Sequence, residues 1–401
     1  MEALLMQIAI IIDDYLPNST RVSSKMMHEL AVLLKQQHKV TVITPDSMVK
    51  RLQIDELDGV TIWRFKSGPI KDVGKVQRAI NESLLSFKGW QAIKHKVNKD
   101  TFDAIIYYSP SIFFGGLVKK IKRVCACPAY LVLRDMFPQW AIDAGILKEG
   151  SLIDKYFRFF ERHSYKQANM IGLMSEKNLQ LFNQYTNNYC SSEILRNWAR
   201  LIPHQVKPNR MSIRDKLNLH DKVIFFYGGN IGHAQDMANL MRLTQGMQSY
   251  KNAHFLYVGQ GDEVDLINQL AEEWGLTNFS FLPSVSQEEY KNILTEVDIG
   301  LFSLAKEHKA HNFPGKLLGY MVQSLPILGS VNPGNDLMPL VNEAKAGLVT
   351  INGDDLTLLK NAIALYQDEQ LRTKIGSNSY TLLKKEFDVE QVAQQILSTF
   401  K

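Results

Sequence analysis

The stretch of this 401-residue chain whose residue types and spacing speak most directly of chemistry is His311-Asn312-Phe313-Pro314-Gly315-Lys316-Leu317-Leu318-Gly319-Tyr320. A strand pattern, Val297 to Phe302, comes before it, and a polar loop follows that strand. A helix is expected to open at Pro314, because the N–H that proline lacks would have no partner in a first helical turn. Gly315 lets the backbone approach a ligand closely. Free N–H groups of that turn, the helix dipole and the Lys316 ammonium together favour an anion, and a diphosphate suits them best. Pro326 to Leu328 reads as another strand, so the unit is strand, anion loop, helix, strand.

Other strand ends carry loops of the same kind. Tyr227-Gly228-Gly229-Asn230-Ile231-Gly232 follows a buried-type strand, with Gln235 just beyond. Val258-Gly259-Gln260-Gly261 follows the next, and Phe281-Leu282-Pro283-Ser284-Val285-Ser286 the third. Ligands of doubly wound sheets bind outside the carboxyl ends of strands. Tight structural turns and a serine helix cap explain the same residues equally simply. In the first half, Asp13-Asp14-Tyr15-Leu16-Pro17-Asn18-Ser19-Thr20-Arg21 joins a strand to a helix. Ser19 fits a helix cap or a ligand contact, and the Arg21 fork suits a phosphate. Leu131-Val132-Leu133-Arg134-Asp135-Met136-Phe137-Pro138 is the other polar strand end. His308 and His311 lie three apart, a spacing that a metal pair can have, but no carboxylate or cysteine completes a site, and Asp13-Asp14 is not an Asp-x-Asp motif, so no metal or other cofactor is expected.

These loops need a framework. Strand and helix signals alternate from Gln7 to Met174: strands at Gln7–Ile12, Val40–Thr44, Val60–Phe65, Ala104–Tyr107, Tyr130–Arg134 and Met170–Met174, helices at Ser19–Gln37, Lys75–Asn98, near Ser111–Val124 and at Ser151–Gln167. Arg196 to Arg210 holds two prolines and two asparagines without apolar period and is read as the linker. A second alternating series runs from Val223 to Val349, and Asp354–Lys401 reads as helical with a break near Asp388. Such alternation predicts parallel sheets with helices on both faces. The expected divisions are residues 1–200, 201–385 and a terminal helix over 386–401.

Composition is that of a globular protein, 45% hydrophobic and 22% charged. Three cysteines without a CxxC pair signal neither zinc nor a disulfide framework. Residues 1–12 read as a buried strand rather than a signal peptide, and a reducing, cytoplasmic compartment is expected. The charge is uneven. Residues 1–200 hold 28 Lys/Arg against 19 Asp/Glu, a net of +9, and the remainder 18 against 22, a net of −4. An anionic partner for the first half follows. Nucleic acid is disfavoured, since no nucleic-acid-binding motif accompanies the charge. A membrane surface is the other candidate. Phe113, Phe114, Leu117, Val118 and Ile121 interleave with Lys119, Lys120, Lys122 and Arg123, which suits either an interfacial face or a buried helix with a basic tip.

The segment around Lys316 resembles the donor-binding region of glycosyltransferase family 4, retaining enzymes of the GT-B fold. The resemblance implies two facing doubly wound Rossmann-like domains with a cleft between them, an acceptor in the first domain and a UDP-sugar in the second. It implies donor contacts from Gly229, Asn230, Gly232, Gln235, Gly259, Ser284, Val285, Asn312, Phe313, Pro314, Gly315 and Gly319, acceptor contacts from Ser19, Thr20 and Arg21, and catalytic duty for His311, Lys316, Asp135 and Arg134. It also implies that the terminal helix packs back on the first domain. Two family glutamates are absent: His311 stands in place of the first and Gly319 of the second. Arg134 stands where many members have a histidine that contacts the donor sugar. Arg134–Pro138, Gly229–Gln235 and Phe313–Lys316 resemble the subgroup that transfers N-acetyl-L-fucosamine in O-antigen synthesis. The implied acceptor is a sugar on undecaprenyl diphosphate, reached from the cytoplasmic face of the inner membrane. A nucleotide-sugar epimerase and a non-catalytic partner subunit are the alternatives.

If His311 stabilises the leaving diphosphate as a cation, activity falls as pH rises through its pKa. If it only holds a sugar hydroxyl, the profile is flat and donor selectivity changes in His311→Ala. Wild-type turnover and selectivity in that variant would make His311 a bystander.

Overall fold

The computed structural model describes residues 5–19, 21–71, 73–143, 145–206, 211–307 and 313–400. His311, Asn312 and Thr20 therefore lie outside the described residues. Contacts divide the chain into one unit of Met1–Arg196 with Val389–Lys401 and another of Asn197–Asp388.

In the first unit the order is β1 (Gln7–Ile11), α1 (Val22–Leu34), β2 (Lys39–Asp46), β3 (Gln53–Leu57), β4 (Val60–Lys66), α2 (Lys75–Ser83), α3 (Leu85–Ile93), β5 (Ala104–Tyr108), α4 (Gly115–Cys125), β6 (Ala129–Val132), α5 (Gln139–Asp143), α6 (Leu152–Tyr165), β7 (Met170–Leu173), α7 (Glu176–Thr186) and β8 (Ser192–Ile194). Among the described residues the strands form one sheet in the order β3-β4-β2-β1-β5-β6-β7-β8, parallel except for the β3–β4 pair. β1, β5 and β6 are nearly continuous apolar runs, as strands covered on both faces must be. Strand order reverses between β1 and β5, which opens a crevice at their carboxyl ends.

In the second unit come α8 (Ile213–Leu217), β9 (Val223–Asn230), α9 (Met237–Gly246), β10 (Ala253–Gln260), α10 (Val264–Glu273), β11 (Phe279–Pro283), α11 (Gln287–Leu294), β12 (Ile299–Ser303), α12 (Lys316–Val322), β13 (Ile327–Val331), α13 (Leu337–Glu343), β14 (Gly347–Ile351), α14 (Asp355–Gln367) and α15 (Glu369–Glu386). The sheet is all parallel, in the order β11-β10-β9-β12-β13-β14 among the described residues, and its reversal lies between β9 and β12. α16 (Val389–Ser398) belongs to the first unit, where it packs on α1 and Gln395 Nε2 donates to Ile194 O at 2.7 Å.

Four sequence expectations are corrected. The long helix over Lys75–Asn98 is two helices, α2 and α3, parted at Leu84. The break lets α3 bury Leu85, Gly89 and Ile93 while α2 leaves its apolar side chains outside. β3 was not anticipated, although Asp58-Gly59, with φ of 51° and 74°, is a favoured two-residue hairpin turn. The closing helical segment breaks at Asp368 as well as near Asp388, because the Asp368 side chain caps α15 by accepting from Leu371 N at 2.9 Å. α12 begins at Lys316, with Pro314 and Gly315 in a tighter turn whose carbonyls accept from Leu317 and Leu318.

β9 and β10 meet closely where Gly229 pairs Gly259: a Cβ added at 259 would lie 1.8 Å from the Gly229 carbonyl oxygen. Gly259→Ala must therefore push the β9 turn aside, at a cost of about 1–3 kcal/mol. Denaturant unfolding should show it, with Gly74→Ala, where nothing lies within 4 Å, as the silent control. Equal midpoints for the two variants would refute the close packing.

Candidate active site

The switch point of the second unit is built by what β9 and β12 fail to share. They pair only at Phe225–Ile299 and Phe226–Gly300, then splay. Tyr320, buried on α12, fills the gap. Its hydroxyl accepts from Gly228 N at 3.2 Å and donates to Leu301 O at 3.0 Å, so one phenol replaces the missing ladder bonds. Burial holds its pKa well above the ordinary tyrosine value, and it stays a neutral donor.

Lys316 sits one helical turn before Tyr320, hence on the same face of α12. Its Nζ lies 3.3 Å from the centroid of the Tyr227 ring and is sealed from solvent, though the residue as a whole is only half-buried. No hydrogen-bond partner reaches Nζ among the described residues. Burial pushes the Lys316 pKa well below the ordinary lysine value. The face of the Tyr227 ring offsets part of that penalty by attracting the charged form. Gly229, at φ 118°, adopts backbone that favours glycine, and a Cβ there would stand 3.9 Å from Nζ. The result is an amine poised under a side-chain-free turn.

The other candidates of this unit line the same carboxyl edge. Asn230 Nδ2 donates to Gln235 Oε1 at 2.7 Å, and Gly232 leaves room for both side chains. Ser284 Oγ donates to Gln260 Oε1 at 3.0 Å across the ends of β11 and β10, and Val285 is half-buried beside it. Phe313 is buried against Phe387, and Pro314 and Gly315 are half-buried before Lys316. Gly319 points inward: a Cβ there would lie 3.1 Å from Leu294 Cδ1, so a longer side chain would need α11 to give way.

In the first unit Asp13 and Asp14 leave β1. Asp13 is buried and accepts from Lys71 Nζ at 2.9 Å. Asp14 accepts from Ser19 Oγ at 2.7 Å and pairs with Arg21 Nε at 3.5 Å. Ser19 is buried in this loop and accepts from Arg21 N, so Arg21, rather than Ser19, occupies the cap position of α1. Arg21 keeps half its side chain exposed. Arg134 is buried and donates to the carbonyls of Leu133 and Arg196, and burial lowers its pKa to about 10. Asp135, half-buried beside it, has its carboxyl pKa raised by burial, with Arg134 opposing the rise.

Comparison with known proteins follows this geometry. Residues 209–382 match the family described as Glycosyl transferases group 1. A probable glycosyltransferase, WbjE of Pseudomonas aeruginosa, is 24% identical over 220 residues, 54% of this chain and 54% of that protein. The chain thus spans about half the length of that relative. WcaI of Escherichia coli (strain K12), a putative colanic acid biosynthesis glycosyl transferase, is 21% identical over 306 residues, 72% of this chain and 74% of that protein. Among solved structures, Anabaena Alr3699/HepE in complex with UDP and glucose superposes with a TM-score of 0.69 at 14% identity, covering 98% of this chain and 99% of that one. WaaG, a glycosyltransferase involved in lipopolysaccharide biosynthesis, gives 0.68 at 14% identity with the same coverage. The fold is that of the GT-B glycosyltransferases.

Sequence reasoning missed the polar bed beneath the strand ends of the second unit. Asn239 Nδ2 donates to Ser303 Oγ at 3.0 Å and Ser330 Oγ at 3.1 Å. Asn352 Nδ2 donates to Asp236 Oδ2 at 3.0 Å and Leu304 O at 2.9 Å. These groups come from three elements and the loops beside them, from Asp236 to Asn352, so no local pattern marks them. Tyr320 was legible only as an apolar helix position.

Between its lowered folded pKa and the unfolded value, Lys316 binds fewer protons in the native state. Stability of the unliganded domain therefore rises with pH across that window and is penalised below it. Lys316→Met should abolish this rise. An arriving diphosphate should restore the proton, so UDP binding to the wild type takes up protons, visible in calorimetry as a dependence of the heat on buffer. The variant should lose that uptake and bind UDP about tenfold or more weakly, since a charge-assisted contact contributes about 1.5–3 kcal/mol. Unchanged affinity and uptake would refute the assignment.

Proposed function

We propose that the chain is a retaining glycosyltransferase of surface-polysaccharide synthesis. It moves a sugar, N-acetyl-L-fucosamine by the subgroup resemblance, from a UDP donor to a sugar carried on a lipid diphosphate. The observation that carries this reading is the sealed Lys316 ammonium under the Gly229–Asn230 turn at the β9–β12 switch point. A nucleotide diphosphate is the ligand that such a cation and strand-end turn would accept. The matched family and the carbohydrate-polymer relatives agree in class.

In this reading the bond between the anomeric carbon and the diphosphate oxygen breaks, and negative charge gathers on the leaving diphosphate. Lys316 offsets that charge in a poorly solvated setting, where the interaction is strongest. The acceptor oxygen bonds to the anomeric carbon on the face the diphosphate leaves, and its proton passes to a phosphate oxygen.

A panel of UDP-sugars with a lipid-diphosphate-linked N-acetylglucosamine tests the proposal. One donor should yield a disaccharide product with the donor's anomeric configuration retained, read by NMR, and UDP should accumulate only when acceptor is present. Conversion of the donor to an epimer without acceptor would overturn transfer in favour of epimerisation. Donor binding with no product on any acceptor would favour a non-catalytic subunit.

A further inference from the structure

Of the two readings of Phe113 to Arg123, the buried helix with a basic tip is the one that the apolar residues follow. Phe113, Phe114, Leu117, Val118 and Ile121 are all buried, because α4 is wedged between α3 and α6. Gly115 and Gly116 permit the wedge: a Cβ at 115 would lie 2.8 Å from Ser164 Cα, and one at 116 would lie 3.0 Å from Ser86 Cβ. Lys122 is also committed, donating to Gln167 O and Asn169 Oδ1.

The exposed apolar surface lies on the neighbouring helices. Val76, Ile80, Leu84 and Phe87 follow one another at helical spacing along α2 and α3, and Phe87 is 57% exposed. On α6, Leu152, Ile153, Tyr156 and Phe159 form a second stripe, with Phe159 64% exposed. Tyr156 OH donates to Ser83 Oγ at 2.5 Å and joins the two stripes into one face. Beside them Gly74, Val76, Gln77, Ile80 and Asn81 line a depression with almost wholly apolar walls. Single exposed hydrophobes are ordinary, but two contiguous stripes on one layer mark an interaction surface.

Charge decides what that surface fits. α3 and α4 contain no acidic residue. The two acids of α6 face inward: Glu161 is buried against Tyr185 and Arg158, and Asp154 against Arg158 and the Gly150 N–H. On α2, Glu82 is paired with Arg78. Lys88, Lys119, Lys155 and Arg162 make no ion pair among the described residues. Lys120 lies over the Trp90 ring. His163 stacks on Phe159, and burial, with the charges of Lys119 and Lys166, lowers its pKa. Aromatic and aliphatic side chains among unpaired cations, with the acids turned in, complement an anionic interface that has an apolar layer beneath it.

We infer that the layer of α2, α3, α4 and α6 is a docking surface for an anionic lipid bilayer, with the α2–α3 and α6 stripes entering the interface and the lysines resting on the headgroups. This rests on the reading of a lipid-linked acceptor and names where the chain meets the membrane that carries it.

Vesicle sedimentation tests the surface. Full-length protein should pellet with phosphatidylcholine vesicles containing phosphatidylglycerol, weakly with phosphatidylcholine alone, and less at high salt. Lys88→Glu, Lys119→Glu and Lys155→Glu together should weaken binding by at least about fivefold per charge, since each basic residue at such a surface contributes about 1 kcal/mol. Phe87→Ser with Phe159→Ser should lose binding even at low salt, which a purely electrostatic contact would not. Lys345→Glu, Lys360→Glu and Lys374→Glu, matched in charge on the second unit, should bind as wild type. All these positions but Lys88 are exposed and Lys88 is half-buried, so unchanged thermal unfolding separates lost docking from lost fold. Vesicle binding that ignores both the apolar and the charge variants overturns the proposal. So does a wild-type dimer in sedimentation velocity that Phe87→Ser with Phe159→Ser makes monomeric without any vesicle binding, which would assign the face to a second copy. UDP affinity and transfer to a short-chain, water-soluble acceptor are read on the same variants. Persistence of both in the variants that no longer dock supports a separate docking surface, whereas a wild type that transfers to the soluble acceptor but binds no vesicles would sink the surface and leave the transferase reading standing.

Discussion

An ammonium group shut away from water without a hydrogen-bond partner is an expensive thing to fold around, and Lys316 is such a group among the described residues. Its surroundings in the second unit make sense as the means of holding it there. The Tyr227 ring gives it an electron-rich face. Gly229 keeps the space above it free of side chain. The short helix that carries it is fixed by Tyr320, whose hydroxyl is clamped between two strands. A site of this kind trades stability of the unliganded state for readiness toward an anion, as functional sites commonly do.

The place is dictated by sheet topology. Where strand order reverses, neighbouring strands send their connections to opposite faces, and a crevice is left at the carboxyl ends. Here β9 and β12 pair at only two positions before parting, and every described donor candidate lies on the edge formed by β11, β10, β9 and the segment after β12. The buried amide and hydroxyl network of Asn239, Ser303, Ser330 and Asn352 ties the strand ends beneath that edge. Asn239 Oδ1 alone of these atoms is buried without a hydrogen-bond partner among the described residues.

The first unit divides its labour differently. Its strand ends hold compact polar clusters: Asp13 with Lys71, Asp14 with Ser19 and Arg21, and Arg134 on backbone carbonyls. Arg134 is spent on the protein itself, whereas Arg21 stays half exposed. The same unit gathers unpaired lysines on one helical layer by turning the acids of α6 inward.

Several features were legible in the sequence because they are local. Continuous apolar runs such as Ala104–Tyr108 and Gln7–Ile11 announce parallel strands covered on both faces, and glycine-rich turns after them announce strand ends. Lys316, four residues before Tyr320 in a short helix after a strand, announces a cation near such an edge. What only the tertiary structure decided are the properties that depend on what a residue meets. Whether Lys316 is sealed, whether Arg134 reaches a ligand or a carbonyl, and whether Phe113 or Phe87 faces water are set by packing across distant segments. A helical pattern shows that one face is apolar. It does not show whether another helix covers that face, and so α4, which the pattern left open between interface and core, is buried while α2 and α6 keep apolar side chains exposed.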